Sequence, residues 1–281
     1  MMDFLGLNDK TVVVFGVANR RSVAFAIGKL LEHAGARVVH VVRDAVIRDA
    51  VSGLLAPAPV LTCDVADDTA LARLPEAVAA VTGGAPVHGV VHSIAYANYA
   101  NGIRPFHEVS RADFLQAMDI SCYSFVALAN TLKPLMAPDG ALVTISISTT
   151  RMAAENYGYM GPVKAALDSS VAFLAKSLSA DTRIRVNAVG AGLLKTSASA
   201  GIPGYIDAYL FAERVIPRRR ALATEEVANT AVFLLSPRAS GINAQTVVVD
   251  AGMSINYFDR AVTRAVAASP AAEPAPAPAA R

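Results

Sequence analysis

The sequence predicts a single α/β domain with a doubly wound, seven-stranded parallel sheet that is flanked by helices. Short apolar runs rich in valine and isoleucine alternate with longer segments in which apolar residues recur at helical spacing. Runs that are apolar throughout are typical of strands buried on both faces of a sheet. Their alternation with helices indicates βαβ units. We find no internal repeat and no second set of core elements in the sequence.

Each element follows from a local pattern. The run TVVVFG at 11–16 predicts the first strand, and the segment 22–34 has apolar residues at helical spacing and ends before Gly35. Further strands are predicted at 38–42, 60–62, 87–91, 142–146, 185–189 and 246–249. Further helices are predicted near 69–81, 111–136, 158–179 and 224–235.

Composition excludes several classes of protein. Hydrophobic residues make up 54% of the chain and charged residues only 17%, which excludes a disordered chain. The formal net charge of +2 argues against nucleic acid as the main partner. Two cysteines and five histidines show no disulfide framework or metal-ligand spacing, so we expect no metal site. His88 and His92 flank the fourth strand and are expected to be structural.

The mean hydropathy of +0.41 raises the question of a membrane span. The longest stretch without Asp, Glu, Lys or Arg is 77–103, but it contains glycines, a proline and two histidines. A spanning helix needs about 20 predominantly apolar residues, so this stretch reads better as loop, strand and loop. Polar residues near the N-terminus replace the apolar core of a signal peptide. We therefore expect a cytoplasmic protein that does not cross a membrane.

The C-terminal segment differs from the rest. Thirteen of the seventeen residues from 265 to 281 are alanine or proline. Because proline interrupts helices, we expect one folded domain over 1–260 and a flexible, extended tail over 261–281.

The turn from the first strand into the first helix reads GVANRRS over 16–22. In a Rossmann-type fold this turn binds the pyrophosphate of a dinucleotide through backbone N–H groups. Only the first glycine of the GxGxxG pattern, Gly16, is present. We expect Ser22 to cap the helix and to donate its hydroxyl to a phosphate. An ordinary strand–helix turn remains an equal alternative on this motif alone.

The ends of the next strands carry polar residues that bear on the cofactor. Arg43 would favour a 2′-phosphate and hence NADPH, whereas Asp44 would favour the ribose hydroxyl of NADH. A solvated charge pair is an equally good interpretation. Asp64 is placed to accept a hydrogen bond from the adenine amino group. The small residues of HSIAYA at 92–97 would let a cofactor lie close to the backbone.

The segment NYGYMGPVK at 156–164 pairs tyrosine with lysine. A lysine ammonium lowers the pKa of a nearby phenol and can bind a ribose hydroxyl, while the phenol polarises a carbonyl. On a helix, Tyr157 would share a face with Lys164, whereas Tyr159 would lie roughly 140° away. Tyr157 is therefore the better candidate, although such pairs also arise by chance. The YxxxK pair of ordinary short-chain dehydrogenases is missing, because Met160 stands four residues before Lys164.

Together these motifs resemble those of the enoyl-[acyl carrier protein] reductases of the short-chain dehydrogenase/reductase superfamily, over about residues 4–258. Besides the YX6K spacing, the resemblance rests on GVANRRSVA at 16–24, CDV at 63–65, HSIAYA at 92–97, DISCYSF at 119–125, RVNAVGAGLLKT at 185–196, AGI at 200–202, IPRRRALATEEVANTAVFLLS at 216–236 and VVVDAGMSI at 247–255.

The resemblance implies hydride transfer from NADH or NADPH to the β-carbon of a trans-2-enoyl thioester in fatty acid biosynthesis. It implies that Tyr157 hydrogen-bonds the thioester oxygen and that Lys164 binds the nicotinamide ribose. The implied cofactor contacts are Gly16, Ser22, Val23, Asp64, Val65, Ser93, Ile94, Ala95, Ile145, Ala191, Gly192, Leu194 and Thr196. Ala97, Met160 and Ile202 would join Tyr157 around the acyl group, under a flap at about 193–212.

The chain departs from the usual family pattern at four positions. Many members carry a further tyrosine ten residues before the catalytic one, where this chain has Ile147. Leu193 replaces a proline, Gly158 replaces an asparagine, and Tyr159 replaces a small aliphatic residue. These positions lie beside the expected nicotinamide and acyl pocket, so they bear on acyl chain length, branching and inhibitor response.

The expected partners are an acyl carrier protein and further copies of the chain. The arginines at 218–220 would attract an acidic carrier protein, but pairing with Glu225 or Glu226 is the favoured interpretation. Family members commonly form tetramers, and the apolar helices near 111–136 and 158–179 are the expected interface. Two alternative functions stay open: a carbonyl reductase in which Tyr157 protonates an alkoxide, and a catalytically silent dinucleotide-binding module.

Overall fold

The computed structural model describes residues 3–100, 102, 104–154, 157–256 and 258–269. Its strands are β1 (Thr11–Phe15), β2 (Arg37–Val42), β3 (Val60–Thr62), β4 (Val87–His92), β5 (Met136–Ile147), β6 (Arg185–Ala191) and β7 (Thr246–Val249). They form one seven-stranded sheet in the order β3-β2-β1-β4-β5-β6-β7. Every neighbouring pair is parallel, which confirms the predicted fold class.

Helices connect the strands and cover the sheet. They are α1 (Val23–His33), α2 (Ala45–Leu55), α3 (Asp68–Thr82), α4 (Arg111–Met118), α5 (Ser124–Leu132), α6 (Met160–Leu178), α7 (Ser197–Ala200), α8 (Tyr205–Val215), α9 (Thr224–Leu235) and α10 (Arg260–Ala268). Within the ranges given above, no helix combines the length and the hydrophobicity that crossing a membrane requires.

The uninterrupted apolar runs of the strands supply side chains to two separate cores. On β1, Val13 and Phe15 pack in one buried cluster with residues of α3, α5 and α6. Val12 and Val14 pack in the other cluster with residues of α1, α2 and α9. Successive side chains of a strand point to opposite faces, so a strand buried on both faces needs no polar alternation.

The strand order creates a crevice at one edge of the sheet. The chain passes from β1 outward to β2 and β3, then returns to the other side of β1 as β4. The connections beyond the carboxyl ends of β1 and β4 therefore diverge. Such a switch point is where doubly wound sheets bind ligands.

The helix α2 is absent from the sequence-based prediction. It begins after Asp44, whose side chain accepts a hydrogen bond from the N–H of Ile47 at 2.9 Å as an N-cap. Only Val51 and Leu55 of this helix are buried. Its apolar residues Ile47, Val51 and Leu55 recur four residues apart and pack in the second core, so the spacing that could have revealed α2 was present in the sequence.

The helix predicted near 111–136 is wrong as one continuous element. A π-helical turn over Asp119–Tyr123 separates α4 from α5, and β5 already begins at Met136. Inside this turn the Ser121 hydroxyl donates to the backbone carbonyl of Tyr96 at 3.1 Å. A π-helical turn contains one residue more than an α-helical turn, but the apolar spacing on either side of it is intact. The periodicity of the sequence therefore does not reveal it.

The extended tail predicted from residue 261 is wrong for its first part, because α10 occupies Arg260–Ala268. The Asp259 carboxylate caps this helix by accepting from the N–H groups of Ala261 and Val262 at 2.8 and 3.2 Å. The first proline of the segment comes only at position 270, so nothing interrupts the alanine-rich turns before it. The remainder, 270–281, lies outside the described residues.

Candidate active site

The carboxyl ends of β1 and β4 meet closely at the crevice. Gly16, directly after β1, has a φ of +101°, and a Cβ there would lie 2.0 Å from the carbonyl oxygen of Ser93. The N–H of Ser93 in turn donates to the carbonyl of Phe15 at 3.3 Å. Only glycine fits between the loop after β1 and the loop after β4. Gly16 therefore has no side chain at the point where a dinucleotide would pass close to the backbone.

Ser22 shapes the turn before α1 in a different way from the one predicted. It occupies the N-cap position, but its side chain makes no capping hydrogen bond. Its Oγ instead accepts from the N–H groups of Ala18 and Asn19 at 3.0 and 3.1 Å. The predicted cap is wrong because the tight turn brings these preceding N–H groups to the hydroxyl. Ser22 thus fixes the loop beside the helix N-terminus.

Arg43 and Asp44 lie at the carboxyl end of β2 and bind each other. The Arg43 Nε donates to Asp44 Oδ2 at 2.8 Å. The pKa of Asp44 is lowered, first by the N–H of Ile47 and then by Arg43. The Asp44 carboxylate is therefore engaged as a helix cap, whereas the Arg43 side chain remains 61% exposed.

The remaining residues predicted to contact the cofactor lie at the same edge of the sheet. Asp64 is exposed there, and its Oδ1 accepts from the N–H of Ala66 at 3.0 Å. A Cβ on Gly192 would lie 3.0 Å from the Cα of Asp250, so the chain after β6 is also tightly packed. The others sit at the start of α1 and at the ends of β3, β4, β5 and β6: Val23, Val65, Ser93, Ile94, Ala95, Ile145, Ala191, Leu194 and Thr196.

Lys164 is buried in the first turns of α6, with 4% of its surface exposed. Its Nζ donates to the backbone carbonyl of Ile145, near the end of β5, at 2.8 Å. Desolvation lowers the pKa of Lys164 to about 8, against the raising effects of Asp168 and Cys122. The ammonium form therefore still prevails at pH 7, and its position is fixed relative to the sheet.

Tyr157 lies in the turn just before α6, not within the helix. Gly158 has a φ of +53°, a conformation that asparagine and glycine tolerate best, which accounts for the exchange of these two residues. Burial raises the pKa of Tyr157, and the neighbouring phenols Tyr99 and Tyr205 raise it further. The phenol stays protonated at neutral pH and can act as a hydrogen-bond donor.

Tyr159, the competing tyrosine, has a different role. Its hydroxyl donates to the backbone carbonyl of Asn98 at 3.0 Å, and the residue is 6% exposed. Tyr159 therefore anchors the loop after β4. This contact agrees with the choice of Tyr157 as the candidate catalytic residue.

Two buried polar groups beneath Lys164 were missed by sequence reasoning. Asp168 stands one turn further along α6. Among the residues that the structure describes, neither its buried Oδ1 nor the buried Oγ of Ser146 on β5 has a hydrogen-bond partner. Burial raises the pKa of Asp168, while Ser146, Thr246 and Lys164 lower it. An acid four residues after a buried lysine was the signal that could have revealed this cluster.

His92 is structural, in agreement with the sequence-based interpretation. Its two ring nitrogens lie 2.8 Å from the hydroxyls of Thr144 and Ser124. Burial lowers its pKa to about 3, so the ring stays neutral. It joins β4, β5 and α5 beneath the crevice.

The predicted flap at about 193–212 contains two helices that sequence reasoning did not predict, α7 and α8. The hydroxyl of Tyr205 donates to the carbonyl of Leu194 and accepts from its N–H, at 2.8 and 2.9 Å. The start of α8 is thereby tied to the end of β6. The exposed apolar residues of α8 are Ile206, Leu210 and Phe211.

The residues predicted to line the acyl pocket are only partly brought together. Ala97 and Tyr157 pack against the buried cluster that includes Met160. Ile202 lies in the turn after α7 and is not part of that cluster. Ile147, at the end of β5, is half-buried and offers no hydroxyl.

Comparisons with known proteins agree with this arrangement. Residues 16–254 match the model of a family described as "Enoyl-(Acyl carrier protein) reductase". The chain belongs to this family. It is therefore an NAD(P)H-dependent oxidoreductase of the enoyl reductase class.

The enoyl reductase has curated relatives that differ in their cofactor. The enzyme of Enterococcus faecalis, named as using NADH, is 35% identical over 250 residues, which cover 89% of this chain and 99% of the relative. The enzyme of Staphylococcus aureus strain MRSA252, named as using NADPH, is 36% identical and covers 88% and 98%. Family membership alone therefore does not determine the cofactor.

The fold of the reductase is shared with solved structures. The NADH-named enzyme of Aquifex aeolicus superposes with a TM-score of 0.84 at 34% identity, covering 90% of this chain and 99% of the other. The Bacillus cereus enzyme, solved with NADP+ and indole naphthyridinone, gives 0.83 at 35% identity with the same coverage.

Proposed function

We propose that this reductase transfers hydride from NAD(P)H to the β-carbon of trans-2-enoyl thioesters in fatty acid biosynthesis. The observation that carries the proposal is the placement of Tyr157 and Lys164 at one crevice, with Lys164 held 2.8 Å from the carbonyl of Ile145. The crevice lies at the switch point of the sheet, where dinucleotides bind in such folds.

The residues at the crevice fit a dinucleotide. Gly16 lets the loops after β1 and β4 approach closely, and the turn that follows leads to the N-terminus of α1, where the helix dipole favours a pyrophosphate. Ser22 fixes that loop, and Asp64 is exposed at the adenine end. When bound, NAD(P)H supplies the hydride that the reaction requires.

Tyr157 acts as a donor to the thioester oxygen. Its raised pKa keeps the phenol protonated, so that it stabilises the negative charge that develops on that oxygen as an enolate forms. It need not lose its proton to do so.

Lys164 positions the nicotinamide ribose. One of its N–H groups donates to the carbonyl of Ile145, and this hydrogen bond fixes the position of the ammonium relative to β5. The remaining donors bind the ribose hydroxyl, and the positive charge also favours the enolate over the neutral thioester.

The acyl group lies between the loop after β4 and the flap. Ala97, Tyr157 and Met160 form its inner wall, and Ile202 contacts it from the flap side. The reductase domain spans about 1–260, with the flap at about 193–212. The exposed apolar side chains of α8 support a role in covering an acyl chain.

The cofactor is NADH or NADPH, and the end of β2 favours NADPH. The Asp44 carboxylate caps α2 and is paired with Arg43, so it is poorly placed to bind a ribose hydroxyl. The guanidinium of Arg43 is exposed and suited to a 2′-phosphate.

The thioester is carried by an acyl carrier protein, for which the arginines near 218–220 are a weak docking site. Arg218 is bound to both carboxylate oxygens of Glu226 and to two backbone carbonyls. The favoured pairing is therefore confirmed for Arg218. Arg219 and Arg220 are exposed and remain available to an acidic partner.

The enzyme is a cytoplasmic homotetramer. Support for assembly comes from large apolar side chains on the outer face of the predicted interface, where Leu115 of α4 is 58% exposed and Phe173 of α6 is 77% exposed. Exposed groups of this size commonly mark protein–protein contacts. Cys63 and Cys122 are buried free thiols, as suits a reducing compartment.

The experiment that tests this function follows NAD(P)H absorbance with crotonyl and longer enoyl thioesters, and with matching ketoacyl thioesters, each with both cofactors. Oxidation only with the enoyl substrates is the expected result. Oxidation with ketoacyl substrates would favour the carbonyl reductase instead. Cofactor binding without turnover of either would leave a silent dinucleotide-binding module.

A further inference from the structure

Tyr99, in the loop after β4, carries a buried hydroxyl. Among the described residues, its Oη has no hydrogen-bond partner. Burial raises the pKa of Tyr99 to about 12. A phenylalanine would pack in the same way without leaving a polar group unsatisfied. A buried hydroxyl that finds no acceptor in the described part of the chain calls for one supplied by a bound ligand.

The loop that carries Tyr99 is held firmly beside the crevice. The N–H of Tyr96 donates to Ser121 Oγ at 2.8 Å, and Asn98 Nδ2 donates to Asp113 Oδ1 at 2.8 Å. The hydroxyl of Tyr159 donates to the carbonyl of Asn98 at 3.0 Å. These contacts come from α4, the π-helical turn and the start of α6, so the loop is fixed from three directions.

The Tyr99 ring lies near the segment that carries the candidate catalytic residue. Its centroid lies 6.3 Å from that of Tyr159, which stands two residues after Tyr157. Tyr157 packs against the buried cluster that contains Tyr159, and Tyr99 and Tyr205 add to the effect of burial in raising the pKa of Tyr157. The acceptor that Tyr99 lacks is thus expected where Tyr157 meets the substrate.

On the opposite side of the crevice, the residues that the structure describes offer no comparable group. Ile147 ends β5 with an aliphatic side chain. Tyr205 approaches from α8, but its hydroxyl is occupied by both backbone groups of Leu194. Tyr99 is therefore the phenol near Tyr157 whose donor is not committed among the described residues.

We propose that the Tyr99 hydroxyl is a second hydrogen-bond donor to the thioester carbonyl oxygen of the enoyl substrate, beside Tyr157. Two donors would share the negative charge of the enolate oxygen as the hydride reaches the β-carbon. No covalent bond to Tyr99 forms, and its proton stays on the phenol. This proposal rests on the function proposed above.

The test replaces Tyr99 by phenylalanine, which keeps the ring and removes only the hydroxyl. Loss of one donor to a developing oxyanion typically lowers turnover by about 100-fold or more, and sharing with Tyr157 reduces this to an expected roughly 10- to 100-fold fall in kcat. The dissociation constant for NAD(P)H, measured by its fluorescence, should stay within about twofold. Tyr123→Phe, on the exposed outer face, is the matched control and should behave as wild type.

Thermal unfolding separates catalysis from packing. Because Tyr99→Phe removes an unsatisfied buried hydroxyl, its Tm should equal or exceed that of the wild type. Wild-type kcat in Tyr99→Phe would overturn the proposal. So would a fall in kcat accompanied by a matching loss of NAD(P)H affinity or by a lower Tm, because these indicate a structural role. A wild-type enzyme that binds NAD(P)H but reduces no enoyl thioester would overturn the proposed function itself, and this inference with it.

Discussion

At the scale of single residues, burial determines what the two central side chains can do. The same loss of water raises the pKa of Tyr157 and lowers that of Lys164, because in each case it disfavours the charged form. The two groups are thereby kept as a neutral donor and a cation that can still lose its proton. A pair with these properties suits stabilisation of an oxyanion more than proton abstraction.

Replacing Tyr157 by phenylalanine should remove about 3–4 kcal/mol of transition-state stabilisation, roughly a 100- to 1,000-fold loss in kcat. NAD(P)H affinity should survive, because the proposed function assigns the phenol to the substrate and Lys164 to the ribose. Steady-state kinetics with a crotonyl thioester and cofactor titration measure the two effects. Turnover equal to that of the wild type would disprove the assigned role.

The charge of Lys164 predicts opposite pH trends for binding and stability. As the pH rises through about 8, Lys164 loses its proton and NAD(P)H affinity should fall. The pKa of Lys164 in the folded protein lies below the ordinary lysine value of 10.5, so the unfolded chain binds more protons between these two values and stability should rise with pH there. Cofactor titrations and urea unfolding at pH 6–10 measure both trends.

Lys164→Met should abolish both trends, because the titrating group is gone. Lys176→Met, an exposed lysine of the same helix, is the control and should retain both. An affinity that does not change across pH 8 in the wild type would show that the ammonium does not hold the cofactor.

Arg43→Ala should lower the preference for NADPH over NADH. The expected loss is about 10-fold or more in kcat/KM for NADPH, with little change for NADH, because only NADPH carries the 2′-phosphate that this guanidinium would bind. Arg48→Ala, which removes another exposed arginine beyond β2, is the control. Equal losses with both cofactors would contradict a 2′-phosphate contact.

At the scale of elements, close backbone contacts at the strand ends determine which residues are allowed. The loops after β1 and β4 are so near that a side chain between them would clash with a carbonyl oxygen. The sequence signal for this is a single glycine, which is common at any strand–helix turn. The reason for it becomes visible only when β4 is placed beside β1.

Gly16→Ala should therefore impair both folding and cofactor binding. A non-glycine residue at a φ of +101° is strained by about 1–3 kcal/mol, and the 2.0 Å contact with the Ser93 oxygen adds to this. Gly53→Ala, in the open middle of α2, is the control and should stabilise by about 0.5–1 kcal/mol. Urea unfolding measures both, and a neutral Gly16→Ala would contradict the described approach of the two loops.

At the scale of the whole molecule, the many apolar side chains occupy two kinds of position. Uninterrupted valine runs fill two cores on either side of the sheet. Other apolar side chains remain on the outer faces of α4, α6 and α8. The first group stabilises the fold, whereas the second group is free to contact other subunits or an acyl chain.

Phe173→Asp should shift the protein from tetramers toward smaller species, because it places a charge in the proposed interface. Val46→Asp is the control: Val46 is 78% exposed, but it lies on α2, on the other side of the sheet. Sedimentation velocity measures the species present. An unchanged sedimentation profile for Phe173→Asp would exclude this face as the interface.

The sequence by itself determined the seven strands and their parallel sheet, because a strand buried on both faces must be apolar throughout. It also determined the Tyr157–Lys164 pair, since both residues and their spacing lie within one short segment. The helices α2 and α8, which bury only two residues each, were not predicted, although the apolar residues of α2 recur at helical spacing.

Only the tertiary structure decided which polar groups bind each other across segments that are distant in sequence. Ser22 binds its own loop instead of the helix, and Tyr159 binds the carbonyl of Asn98. Asp168 and Tyr99 have buried polar atoms that find no partner in the described ranges of the chain. Each of these outcomes depends on which groups meet across separate elements, and on which of them water can no longer reach. Local sequence patterns predict neither the contacts between separate elements nor the exclusion of water from them.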